Sequence, residues 1–82
     1  MKVSGGNGSS IENAIIISEC TNEEGVSQEY LELKKRFKEY RLLQQSLLME
    51  KGKVYDKLEL IVEKGKEITI FFDITDFFGK WD

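Results

Sequence analysis

The chain has 82 residues and a single cysteine, so it is short for a domain and cannot close an internal disulfide. Its formal net charge of −3 argues against broad nucleic-acid binding, which usually requires a surplus of positive charge. The sequence contains no histidine, which removes the commonest general base and zinc ligand and excludes Ser-His and Cys-His nucleophilic pairs.

The sequence shows no membrane or export signal. Residues 1–6 lack the apolar core of a signal peptide, and no run approaches the roughly 18 apolar residues of a membrane span. The unpaired thiol of Cys20 is typical of a reducing compartment. We therefore expect a cytoplasmic protein without a membrane partner.

Composition divides the chain into two parts. Residues 4–10 are glycine, serine and asparagine, which have no side chains able to offset the entropy lost on ordering. Over the whole chain the apolar fraction is 40%, which is enough for a folded core. We interpret residues 1–10 as a flexible leader and residues 11–82 as a single small domain.

A strand and a helix are predicted first. Residues 14–18 are rich in isoleucine, as in a strand that is buried on both faces. A polar connection follows over residues 20–25, after which Ser27 is placed to cap a helix. Apolar residues then recur at helical spacing and predict the side that faces a sheet; they are Val26, Tyr30, Leu33 and Phe37.

Three more strands are predicted over residues 42–49, 54–62 and 68–74, joined by connections of hairpin length that contain Gly52 and Gly65. The order β-α-β-β-β predicts an α+β two-layer sandwich, in which one helix packs on a mostly antiparallel four-stranded sheet. A single helix covers only part of such a sheet. The remaining apolar area therefore has to be covered by the C-terminal residues or by another chain.

Aromatic residues near the C-terminus form the main candidate site. Four of the five phenylalanines and the single tryptophan lie within residues 71–81. Alternation along the last strand predicts that Phe72 is buried and that Phe71 points to the opposite face. Aromatic side chains are enriched at the centres of protein interfaces. The predicted partner-binding residues are Phe71, Phe78, Trp81, Tyr55 and Ile61.

An alternative hypothesis is a metal-dependent or thiol enzyme component that uses Asp73, Asp76 and Cys20. Two carboxylates are too few for a calcium site, and an acid beside the cysteine opposes thiolate formation. A cap formed by Asp73 or Thr75 on a short helical turn that ends at Gly79 explains the acidic residues without any chemistry. We therefore predict no enzyme activity, no cofactor and no metal site.

A second alternative is weak nucleic-acid binding at the basic end of the helix. Lys34, Lys38 and Arg41 share one side if they all lie on the helix. Bases at this end are also expected from the helix dipole alone, so nucleic-acid binding is the weaker interpretation. The favoured function is a small non-enzymatic interaction or adaptor module. It would present a sheet face and an aromatic C-terminal edge to a protein partner or to a second copy of itself.

Overall fold

The computed structural model describes residues 1–80, and these form five β-strands, one α-helix and one 3-10 turn. The strands are β1 (Lys2–Gly5), β2 (Ile15–Ser18), β3 (Tyr40–Glu50), β4 (Lys53–Val62) and β5 (Lys66–Asp73), and the helix α1 (Asn22–Arg36) lies between β2 and β3. The strands form one sheet in the order β1-β2-β5-β4-β3. The β2–β5 pair is parallel and the other neighbouring pairs are antiparallel. The predicted α+β architecture is confirmed.

The described sheet has five strands rather than the predicted four. Residues 2–5, which composition assigns to a flexible leader, form β1 and pair antiparallel with β2. The loop after β1 also contacts the sheet: the carbonyl of Gly8 accepts a hydrogen bond of 2.7 Å from the amide of Phe71 in β5. None of the β1 residues is buried, so the strand forms through backbone pairing and leaves no hydrophobic pattern in the sequence.

The helix begins at Asn22 with Thr21 as its N-cap, so the prediction of a cap at Ser27 is wrong. The hydroxyl of Thr21 accepts a hydrogen bond of 3.2 Å from the Glu24 amide. In return, the Glu24 carboxylate accepts one of 2.9 Å from the Thr21 amide, which completes a capping box. The predicted polar connection is therefore the first turn of the helix.

Gly25 lies on the buried side of that first turn. A Cβ atom at this position would come within 2.5 Å of the Phe77 ring. Glycine usually weakens a helix interior, but here it lets the helix approach the turn that follows β5. The contact between Gly25 and Phe77 therefore joins the start of the helix to the C-terminal part of the described chain.

The buried side of α1 differs from the predicted apolar stripe. Val26 and Tyr30 are exposed, Leu33 is fully buried, and Phe37 is half-buried as the C-cap. The buried helix residues are Gly25, Glu29, Glu32 and Leu33. Two acidic residues therefore lie on the buried side of the helix; Glu32 is paired with polar residues of the same helix, and Glu29 lies against β4.

The core lies between α1 and one face of the sheet, here called the helix face. The alternation predicted for the last two strands is confirmed, since Leu58 lies opposite Ile70 and Leu60 opposite Ile68. The buried core consists of Ile15, Ile17, Leu33, Leu58, Leu60, Val62, Ile70, Phe72, Ile74 and Phe77. Within residues 1–80, no helix has the length and apolar character needed to cross a membrane.

The β3–β4 connection is a two-residue turn, as its glycine predicts. Lys51 and Gly52 have φ angles of 51° and 78°. A type I′ turn requires positive φ at both central residues and matches the twist of the strands that it joins. The turn thereby holds β3 against β4 at the edge of the sheet.

Candidate interaction edge

β3 is an edge strand, and among residues 1–80 no strand lies on its outer side. It has 11 residues and is the longest strand described. Residues 42–49 contain neither a charge nor a proline, two of the features that protect an edge from pairing. The outer N–H and C=O groups of β3 are therefore available to a strand from another chain.

Apolar side chains along this edge are open to solvent. Leu47 is 52% and Met49 72% exposed. Leu47 lies opposite Asp56 and Met49 opposite Val54 in the β3–β4 ladder, which places both on the helix face. The strand that α1 contacts most is β2, which lies three positions from β3 in the sheet order.

A β-bulge interrupts β3 at Leu43. Leu42 pairs with Leu60, and the next pair joins Gln44 to Glu59, so Leu43 is an extra residue on the edge strand. Before the bulge the even-numbered residues of β3 face the helix, and after it the odd-numbered residues do so. This change of face limits the registers in which another strand can pair with β3.

Two carboxyl groups are buried directly behind this edge. Glu29 of α1 is 2% and Asp56 of β4 is 3% exposed. Burial, together with a hydrogen bond and repulsion from Asp56, raises the pKa of Glu29 to about 10. The raised pKa favours the protonated, neutral form of the Glu29 side chain.

Gln45 connects β3 to this carboxyl pair. Its Nε2 donates to both oxygens of Asp56, at 3.0 Å to Oδ1 and 2.9 Å to Oδ2. Oε1 of Glu29 is buried without a hydrogen-bond partner in the described part of the chain. The two hydrogen bonds from Gln45 thus join the edge strand to the buried Asp56 of β4. Nowhere in residues 1–80 do three or more acidic, cysteine or histidine side chains gather in a way that could hold a metal ion.

Glu32 is the second buried acid of α1, and it forms ion pairs with Lys35 and Arg36. Its carboxylate accepts hydrogen bonds from Arg36 at 2.6 Å, Gln28 at 2.7 Å and Lys35 at 3.2 Å. Although burial opposes ionisation, these three donors hold the pKa of Glu32 below its usual value. Two bases of the basic run are therefore used to neutralise a buried acid of the same helix.

The predicted basic side of the helix does not form. The helix ends at Arg36, because Phe37 adopts an extended conformation with φ −130° and ψ 129°. Arg41 lies in β3, so the prediction that Lys34, Lys38 and Arg41 share one helical side is wrong. The sequence pattern predicted that the helix continues past Arg36. In the structure, residues 37–39 instead connect the helix to the edge strand β3.

The structure separates the five predicted partner-binding residues. Tyr55 is only 7% exposed, and Phe71 and Ile61 are half-buried on the face of the sheet opposite the helix. Phe78 is exposed in the turn after β5. Trp81 lies outside the described residues. The role of these five residues in binding stays a prediction.

Phe71 and Ile61 do not adjoin one another on that open face. Phe71 lies opposite Lys57 of β4, four residues before Ile61, which corresponds to roughly 13 Å along an extended strand. Polar Glu59 and Thr69 pair with each other between them. Polar residues therefore separate Phe71 from Ile61 on the open face.

The two acids of the alternative enzyme site, Asp73 and Asp76, accept hydrogen bonds from nearby backbone and hydroxyl groups. Asp73 Oδ1 accepts hydrogen bonds from the Thr75 amide at 3.0 Å and from the Thr75 hydroxyl at 2.6 Å. Asp76 Oδ2 accepts one of 2.7 Å from the Glu19 amide. Burial raises the pKa of the Cys20 thiol above its ordinary value, which favours the thiol over the thiolate. These contacts are those of residues that shape the turn after β5.

Sequence reasoning did not identify the edge of β3 as a site. The available signal was the absence of charge over residues 42–49, although only the sheet order shows that this strand lies at an edge. Comparison with known proteins finds no matching family model, no similar curated protein and no similar solved structure. The geometry of the described residues is therefore the basis for inferring function.

Proposed function

We propose that this chain is a small, non-enzymatic protein-interaction module that binds a partner strand along the outer edge of β3. One observation carries the proposal: β3 is an uncharged edge strand over residues 42–49, with Leu47 and Met49 exposed beside it. A strand added there would form main-chain hydrogen bonds and would cover both side chains. The lone cysteine supports a cytoplasmic location, which is part of the proposal.

The edge is held in a defined shape before any partner arrives. β3 pairs with β4 over nearly its whole length, from Tyr40 opposite Val62 to Glu50 opposite Lys53. Gln45 also fixes the middle of the strand through its two hydrogen bonds to the buried Asp56. A preorganised strand loses little conformational entropy on binding, which favours affinity.

The open sheet face is the second candidate surface in this proposal. Phe71 and Ile61 are partly accessible there, and Phe78 is exposed in the turn beyond β5. Phe71 and Ile61 are separated by the polar pair Glu59–Thr69, whereas Leu47 and Met49 are neighbours on one face of β3. We therefore assign them the subordinate role, in which they would extend a contact centred on the edge strand.

A pull-down with three tagged baits from a lysate of the source organism tests the proposal. The baits are the wild-type chain, Leu47→Lys/Met49→Lys at the edge, and Phe71→Ser/Ile61→Ser on the open face. Lysine on an edge strand opposes pairing, and both edge positions are exposed, so the edge variant is expected to keep its fold. Circular dichroism melting of each bait checks this.

We expect a protein that the wild type and the open-face variant retain and the edge variant loses. A protein lost only by the open-face variant would move the binding surface to that face. Recovery of no protein by any bait, together with no self-association, would contradict the proposed function.

A further inference from the structure

We propose that the strand bound at β3 is the β3 of a second copy of this chain. The two strands would run antiparallel about a two-fold axis at Ser46. This inference rests on the proposed function above, because it identifies the partner for the same edge. Two identical strands related by a two-fold axis are antiparallel and present the same groups to each other, so an exposed edge is self-complementary.

The bulge at Leu43 restricts how two copies of β3 can pair. Side chains that lie opposite each other in a sheet must point to the same face. A two-fold axis at Ser46 places Gln45 opposite the partner's Leu47, and both side chains point to the helix face. If Leu43 stays bulged in each copy, Leu42 then meets the partner's Met49, again on the helix face. The faces therefore match on both sides of the bulge.

Charge complementarity selects this register from its neighbours. With the axis at Ser46, Arg41 lies opposite the partner's Glu50, and the two-fold axis creates this pair twice. An axis at Gln45 would instead place Arg41 opposite the partner's Leu48. An axis at Leu47 would place Glu50 opposite the partner's Gln44. Of the three centres, Ser46 alone pairs opposite charges, and opposite-charge pairs across strands stabilise a sheet.

Both charged residues are available for this pairing. Arg41 and Glu50 are exposed, and within residues 1–80 neither takes part in an ion pair. They flank the uncharged residues 42–49, so the edge has a neutral centre with one opposite charge at each end. An antiparallel copy of such a strand brings unlike ends together, whereas a parallel copy would bring like ends together.

The dimer would also cover the most exposed apolar side chain of the edge. Met49, which is 72% exposed, would pack against the half-buried Leu42 of the partner. Leu47 would lie against the partner's Gln45, the residue whose amide is already fixed on Asp56. The continuous sheet would then join the two chains through their β3 strands.

Sedimentation velocity over a concentration series tests the dimer with charge-reversal variants. We expect the wild type to form a dimer, and Arg41→Glu and Glu50→Arg each to weaken it at least roughly tenfold, because two like-charge contacts replace two attractive ones. The double variant Arg41→Glu/Glu50→Arg should recover the wild-type dimer dissociation constant to within about threefold. Lys2→Glu, the same change of charge at the opposite edge of the sheet, should leave the constant unchanged.

Three results would overturn the dimer: a wild-type monomer up to about 1 mM, a dimer insensitive to both single reversals, or failure of the double variant to recover. The wild type could be monomeric while its bait retains a lysate protein that the Leu47→Lys/Met49→Lys bait does not. In that case the dimer is wrong and the proposed function stands. If the wild type is monomeric and no bait recovers a protein, both fail.

Discussion

Glu29 of α1 lies against Asp56 of β4, and burial together with the neighbouring Asp56 raises the pKa of Glu29 to about 10. The two residues are 27 positions apart in the sequence, and the fold brings them together. Asp56 remains the acceptor for Gln45 of the edge strand. Gln45 therefore links the edge strand to this buried pair through Asp56.

The first prediction concerns the pH dependence of folding. The pKa of Glu29 is raised from 4.5 to about 10, so the folded chain holds this proton more tightly than the unfolded chain. The contribution of this bound proton to the free energy of unfolding is complete below pH 4.5 and is lost progressively as pH rises towards 10. We expect Glu29→Gln to increase the free energy of unfolding at pH 7 by on the order of 2 kcal/mol and to remove this dependence.

Urea unfolding between pH 5 and 9 measures the effect. Glu67→Gln removes an acid from an exposed position on β5 and serves as the matched control. It should leave the slope of stability against pH unchanged. A Glu29→Gln variant with the wild-type slope would show that Glu29 does not hold its proton in the folded state.

The second prediction distinguishes the two candidate caps of the helix. Thr21→Ala removes the hydroxyl that accepts from the Glu24 amide, so it should lower the free energy of unfolding by about 1 kcal/mol. Ser27→Ala lies at an exposed position inside the helix and should change it by less than about 0.5 kcal/mol. Thermal and urea melts of both variants provide the test. Equal losses would contradict a cap at Thr21.

The third prediction concerns the close approach of the helix to the C-terminal turn. Gly25→Ala adds a methyl group that would come within 2.5 Å of the Phe77 ring. We expect a loss of about 1–3 kcal/mol, although alanine favours the helix elsewhere. When Phe77→Leu is also present, Gly25→Ala should cost less free energy of unfolding, because the ring that the methyl group would meet is gone. A double-mutant cycle without coupling would contradict this contact.

The fourth prediction separates two adjacent phenylalanines. Phe77 is 1% exposed and Phe78 is 42% exposed. Phe77→Ala should lower the free energy of unfolding by about 3–5 kcal/mol because it leaves a cavity in the core, whereas Phe78→Ala should lower it by less than about 1 kcal/mol. Chemical denaturation measures both. Comparable losses would mean that Phe78 is also a core residue.

Binding supplies a further test for Phe78. If it belongs to a partner surface, as the sequence predicts, Phe78→Ala should reduce recovery of a bound protein while the fold stays intact. Unchanged recovery would leave the edge of β3 as the contact and would remove Phe78 from the surface.

The parts of the fold that the sequence predicts correctly are those with a regular hydrophobic period. Alternation identifies β4 and β5 and their buried faces, and the isoleucine run identifies β2. Gly52 correctly marks the tight turn before β4. In each case neighbouring residues in the sequence carry the signal, because burial on one face or positive φ at one position restricts which residues fit.

Errors arise where backbone or polar contacts decide the structure. β1 forms through main-chain pairing and has no buried side chain. The composition of these residues therefore resembles that of a flexible leader. The helix starts at a capping box formed by Thr21 and Glu24, within a polar segment that resembles a loop. It ends at Arg36, although apolar spacing continues to Phe37.

By itself the sequence determines the α+β class, the central strands and the absence of histidine chemistry, because these depend on local pattern and composition. Tertiary structure decides that β3 is an edge strand and that Glu29 meets Asp56. Both depend on which distant segments become neighbours. Pairing between strands and the dielectric around a buried acid are properties of the assembled fold, and no local pattern in the chain encodes them.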